Sequence, residues 1–272
     1  MTDILNAFVL LANFVVIPGL AYGSQLALGA LGVTMVYSVL RFSNFAHGEL
    51  MSFGAMICVL LTWWMKSAGI SVGVFPTALL ALPIAIIATI GLALATDKLV
   101  FSYYRRKRSE TVTYLIVSVG VMFFTGGLIR FIIGPDDRVF TDGERFLLKA
   151  RTFKEVTGLT EGLAIKTSQG VTIVLAFIVV ALLFWFLNRT KTGKSMRAYS
   201  DNEDLALLSG INPERVVMIT WMITGALAAL AGTLYGLDKS YKPFTYLSLP
   251  VSYTHLRAHE TEADLVCRLL LE

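Results

Sequence analysis

From Ile4 to Leu40 the chain runs for 37 residues without a charged side chain. About 20 apolar residues of helix suffice to cross the hydrocarbon core of a bilayer, so this run exceeds one ordinary crossing. Pro18-Gly19 falls inside it, and proline disrupts a helix interior. The run therefore divides into an N-terminal apolar segment and a span at about 19–40. Further apolar runs follow at about 50–65, 76–96, 111–133, 170–188 and 215–237. The run at 50–65 covers 16 residues, which fits a short, tilted or re-entrant helix. The pattern predicts an all-α, polytopic transmembrane helix bundle of about six spans, forming one membrane domain over 1–250.

Composition narrows the function classes. Only 15% of the residues are charged and 56% are hydrophobic, against about 25% charged in a soluble domain. A net charge of +4 is too small to point to nucleic acid. Cys58 and Cys267 provide neither a disulfide framework nor a metal-binding spacing. The start, Met-Thr-Asp-Ile, lacks the basic region of a secretory signal, although the first span can still serve as a signal anchor.

The location of charge sets the orientation. Arg105-Arg106-Lys107-Arg108 form one basic cluster, and Arg189, Lys191, Lys194 and Arg197 a second. Basic residues in short loops mark the cytoplasmic side. Two spans separate the clusters, so both face the cytoplasm and 134–169 faces outward. That outer segment carries six basic and six acidic residues, without strong bias. Small residues crowd 19–32 and 224–236, which fits close helix packing or a path lined by small side chains.

Thr192-Gly193-Lys194-Ser195 ends like a phosphate-binding loop. Such a loop needs a glycine five residues before its Gly-Lys, so that backbone N–H groups can wrap the phosphates. Asn188 stands there, and the preceding uncharged run fits a membrane helix rather than a buried strand. Nucleotide binding by this loop is therefore not expected.

Two polar segments remain. In 41–54, Arg41, His47 and Glu49 lie between apolar runs. Ionisable groups at membrane depth point to function by default. A structural role also fits: Ser43 or Asn44 caps the next helix, Glu49 complements its dipole, and His47 bonds a neighbouring loop. His-Gly-Glu lacks the i, i+4 histidine pair of a zinc helix, so no metal is expected. In the second segment, Ser200 or Asp201 reads as an N-cap, with Asp201, Glu203 and Asp204 in the first turn. Gly210 reads as the C′ residue, and Asn212-Pro213 opens the next span. The result is a helix of about eight residues at 201–209 with an exposed apolar edge. It is too short to be stable alone and needs a surface, either its own bundle or a partner.

These segments resemble the permeases of branched-chain amino acid ABC transporters. "TKTGKSMRAYSDNEDLALLSGINPERV" resembles their cytoplasmic coupling segment, here about 189–214, and "TMVYSVLRFSNFAHGE" their Asn-Phe-Ala-His-Gly-Glu signature. "YRRKRSE" before "LIVSVGVMFF" fits the middle of the family, and the resemblance covers about 1–250. It implies a permease in the bacterial or archaeal cytoplasmic (inner) membrane that carries no cofactor and performs no covalent chemistry. ATP and Mg would bind separate ABC ATPase subunits docked on the short helix. A second, homologous or identical permease and a periplasmic or extracellular solute-binding protein would complete the importer. Lys194, Arg197, Ala198, Asp204, Ala206, Gly210 and Ile211 are the implied coupling residues. Asn44, His47, Gly48 and Glu49 match the other signature, and the match assigns them no role.

After Pro250 the pattern departs from the family, which continues with further spans. Residues 251–272 hold two of three histidines and six charges, and resemble adapter or assembly read-through. They are read as a non-native tail on a C-terminally truncated chain. Two other functions compete: a urea or short-amide ABC permease, and an ion-coupled secondary transporter using His47 and Glu49 as proton carriers. An intramembrane enzyme finds no catalytic pattern in the spans.

Overall fold

The computed structural model describes residues 2–70, 75–140, 146–157 and 160–246. The segment 251–272 lies outside the described residues. Six helical stretches among them are long and apolar enough to cross a membrane: 4–40, 47–67, 78–106, 111–133, 167–189 and 213–239. The chain is an all-α, multi-pass membrane protein.

The expected division at Pro18-Gly19 does not occur. Helix α1 (Thr2–Leu11) continues through a π-helical turn (Ala12–Val16) into α2 (Ile17–Leu40). A proline ring strikes the carbonyl four residues earlier, here that of Phe14. Phe14 lies inside the widened turn, where the Ile17 N–H reaches back to the Ala12 carbonyl. The change in winding absorbs the proline without breaking the helix. At 1.5 Å per residue the 4–40 run is about 55 Å long, well beyond a hydrocarbon core of about 30 Å. Polar contacts hold its outer part: Asn13 Nδ2 donates to the Gly162 carbonyl at 2.6 Å, and Asn6 Oδ1 accepts from the Glu161 N–H at 3.3 Å.

Two other boundaries also shift. Helix α3 (His47–Ser67) has 21 residues, because it takes His47, Gly48 and Glu49 into its first turn. Helix α4 (Ala78–Thr96) does not stop at Asp97. It runs through a second π-helical turn (Asp97–Phe101) into α5 (Ser102–Arg106). Arg105 pairs with Asp97 through two hydrogen bonds, at 2.7 and 3.1 Å, which lets the helix carry its charges past the apolar run. Helix α6 (Thr111–Ile133) has the expected limits. The connection that follows contains a two-stranded antiparallel pair, β1 (Phe146–Leu148) with β2 (Ile165–Lys166), around α7 (Ala150–Thr157). Then come α8 (Thr167–Arg189), α9 (Lys191–Asp201), α10 (Glu203–Leu208) and α11 (Pro213–Lys239).

Helix α11 is the hub, packed on α2, α3 and α4. Its small residues at 224–236 serve close packing. A Cβ on Gly232 would collide with the Met51 carbonyl, and one on Gly54 would lie 2.6 Å from Ala229 Cα. Lipid gives helices no hydrophobic drive to associate, so such backbone proximity supplies the attraction. A chain of rings ties α6, the α2–α3 connection, the second π-helical turn and α11 together: Tyr114 to Phe42 at 5.1 Å, Phe42 to Phe101 at 5.2 Å, Phe101 to Trp221 at 5.3 Å. Each such pair contributes about 0.5–1.5 kcal/mol beyond area burial.

Candidate functional site

The chain between α2 and α3 turns inward. Arg41 has φ 58°, ends α2, and donates from its guanidinium to the Ser200 carbonyl at the end of α9. Yet His47, six residues on, packs against Gly32, where an added Cβ would lie 2.7 Å from His47 Nε2. Gly32 is eight residues inside α2, about 12 Å from its end. Residues 41–46 thus carry non-helical backbone into the bundle, which membranes tolerate only where protein surrounds it. Asn44 does not cap α3 with its side chain. Its Oδ1 accepts from the Ala46 N–H at 3.1 Å, an Asx turn that aims the chain, and Ala46 holds the N-cap position. Ser43 does not cap the helix either.

Asn44, His47, Gly48 and Glu49 therefore lie together and buried at the first turn of α3. His47 does not bond a loop. Its ring lies beside the Gly29 carbonyl, and among the described residues neither ring nitrogen makes a well-aligned hydrogen bond. Glu49, 1% exposed, faces Arg130 of α6, with Oε1 3.8 Å from the nearer Nη. Gly126 makes room for this meeting, since a Cβ there would lie 2.9 Å from Glu49 Oε1 and 3.2 Å from Arg130 Nη2.

The segment between α8 and α11 is two helices rather than a loop and one helix. Thr190 caps α9, its Oγ1 accepting from the Gly193 N–H at 3.0 Å, and the Lys194 N–H bonds the Thr190 carbonyl at 3.1 Å. The amides around the Gly-Lys-Ser sequence are therefore spent on a helix start. A Cβ on Gly193 would lie 2.6 Å from Leu187 Cα and against the Phe186 carbonyl, so Gly193 lets α9 fold tightly onto the end of α8. Gly193, Met196 and Tyr199 form the buried side of α9. Tyr199 donates to Glu203 Oε1 at 2.6 Å. Burial first, and then the Glu203 bond, hold the phenol above its usual range, so it remains a donor.

Helix α10 is capped by Asn202, not by Ser200 or Asp201, both of which belong to α9. Asn202 Oδ1 accepts from the Leu205 N–H at 3.0 Å. At the other end Gly210 has φ 79°; its N–H bonds the Leu207 carbonyl and the Ile211 N–H bonds the Ala206 carbonyl, both at 3.0 Å. This is a Schellman ending. Ala206 is buried with Val39, Met196, Tyr199 and Val216, and Ile211 packs on that cluster. Lys194, Arg197, Ala198, Asp204 and Gly210 are exposed, as are Leu205, Leu207 and Leu208, the last at 84%. Asn212 Oδ1 then caps α11, accepting from the Glu214 and Arg215 N–H groups.

The family model of the branched-chain amino acid transport system permease component matches residues 15–256. The chain belongs to this family. Among its relatives is the high-affinity branched-chain amino acid transport system permease protein LivH of Salmonella typhimurium, 29% identical over 224 residues, which cover 80% of this chain and 68% of that protein. BraD of Pseudomonas aeruginosa is 27% identical over 221 residues, 81% of this chain and 69% of BraD. A probable LivH of Methanocaldococcus jannaschii is 26% identical over 231 residues, 82% of this chain and 66% of that protein. No solved structure matches.

Within this ABC permease, two features of the candidate site escaped the sequence. Helix α9 was hidden because Lys191, Lys194 and Arg197 read as a topology signal; the spacing of Gly193, Met196 and Tyr199 was the available clue. Arg130 escaped because it stands near the end of a long apolar run. It is the one charged residue between Thr111 and Ile133, and that isolation was its signal.

Proposed function

We propose that this permease is the membrane-spanning subunit of an ATP-driven importer of branched-chain amino acids in the cytoplasmic membrane. A solute-binding protein delivers the substrate outside, and a second permease copy or homologue completes the pathway. Energy enters through α9 and α10. A separate ATPase binds ATP and Mg and receives the exposed ridge of Leu205, Leu207 and Leu208 in a cleft, with Lys194, Arg197, Ala198 and Asp204 at its margin. Ala206, Gly210 and Ile211 hold the ridge in place from below. ATP-driven closure of the partner then shifts the populations of outward- and inward-facing states.

The observation that carries this reading is the ridge itself. Three leucines stand in solvent on a helix of six residues that is capped at both ends. A helix this short persists only through its caps and its docking, and its exposed apolar side fits a protein partner. The test is uptake of labelled leucine by vesicles holding the complete transporter with its binding protein. Import is expected to require ATP and to survive a protonophore when ATP is clamped. Leu208→Asp, which buries a charge in the cleft, is expected to lower import at least tenfold with membrane insertion unchanged. Import that collapses with the protonophore and ignores Leu208→Asp would overturn the proposal.

A further inference from the structure

The charged pair of Glu49 and Arg130 is poorly satisfied for a structural ion pair. Glu49 is buried while the Arg130 side chain keeps 29% of its surface open, and an arginine beside a carboxylate usually grips it as a bidentate fork. Here the nearest approach of Arg130 to Glu49 is 3.8 Å, beyond hydrogen-bond distance. Among the described residues the Arg130 guanidinium makes no hydrogen bond, and its Nε is buried without a partner. The ring of Phe244 covers one side, 4.5 Å from the guanidinium carbon. Glu49, for its part, occupies the first turn of α3, where the helix dipole favours an anion. Each charge is thus held by its own element, and the two side chains lie side by side without a hydrogen bond between them.

Position matters as much as geometry. Arg130 lies in the last turn of α6, beside the outer connection. Phe244 belongs to the chain returning after α11, whose Tyr241 hydroxyl meets Ser52 of α3 at 3.1 Å. Arg130 thus stands at the end of α6 that leads into the connection before α8, the end the basic clusters place outside.

We propose that Glu49 and Arg130 form a binding site for the charged head group of an α-amino acid in the transport path. Arg130 takes the α-carboxylate and Glu49 the α-ammonium. A zwitterion carries these two charges about a hydrogen-bond length apart, so it parts the two side chains, which lie 3.8 Å apart without it, and gives each a hydrogen-bonded partner. Gly126 keeps a Cβ away from both side chains, and Phe244 covers one side of the guanidinium. The site rests on the importer reading and names where that importer holds its substrate.

The test uses the complete permease–ATPase complex in nanodiscs without the binding protein. Labelled leucine is bound and competed with leucinamide, which lacks the carboxylate, and with 4-methylpentanoate, which lacks the ammonium. The intact complex is expected to bind leucine at least tenfold more tightly than either analogue. Arg130→Gln is expected to weaken leucine at least tenfold while leaving leucinamide within about twofold. Glu49→Gln is expected to bring 4-methylpentanoate level with leucine. These are ratios within one preparation, so a loosened fold does not produce them. Uptake by vesicles with the binding protein is measured alongside. If the intact transporter imports no leucine, the importer reading fails. If it imports leucine but the complex binds none, or both variants keep the original affinity and analogue order, the reading stands and this site is wrong.

Discussion

Single residues in this permease do work that their motifs misstate. Gly193 sits in a sequence that ends like a phosphate loop, yet what it provides is the absence of a side chain where α9 folds against Leu187. Gly193→Val would force α9 away from α8 at a cost of about 1–3 kcal/mol, typical of overpacking. It is expected to lower the thermal midpoint of the purified permease and its yield in complex with the ATPase. An unchanged midpoint would show that α9 has room to spare. Asn188 already spoke against the nucleotide reading in the sequence, but the positive role of Gly193 was not legible, because it depends on a contact with the preceding helix. The same holds for Asn44, whose Asx turn is local but whose burial follows from the inward course of 41–46. Arg130 becomes meaningful only through Glu49, 81 positions away in the chain, across Gly126.

At the scale of elements, caps decide whether α10 exists. The C-terminal signals, Gly210 and Asn212-Pro213, were legible because left-handed φ and proline at N1 are strongly tied to residue type. The N-terminal signal was ambiguous: Ser200, Asp201 and Asn202 are adjacent and all are good caps, and the packing of α9 selects Asn202. Asn202→Ala is expected to cost about 1 kcal/mol of local stability, as typical for a lost N-cap. In hydrogen exchange, protection of the amides at 205–208 should fall by about fivefold, with α11 unaffected. Equal protection in the variant would mean that Asn202 does not set the helix start. Span boundaries failed for a related reason. At Pro18 and Asp97 a sequence rule predicts an end, and a π-helical turn at each place supplies a continuation that composition does not announce.

For the whole molecule, hydropathy was enough to place six spans along the chain, because the bilayer imposes their length directly. The inward entry of α3 was foreshadowed only by the shortness of its apolar run, and the hub role of α11 only by its small residues. In the proposed function, motion of the whole bundle is driven through the ridge carried by α10. A photoreactive residue placed at Leu208 of the complete transporter reads this most directly. It is expected to form an adduct with the ATPase subunit, while the same probe at the exposed Ile178 of α8 forms none. A transporter that imports leucine yet yields no ATPase adduct from position 208 would contradict the account.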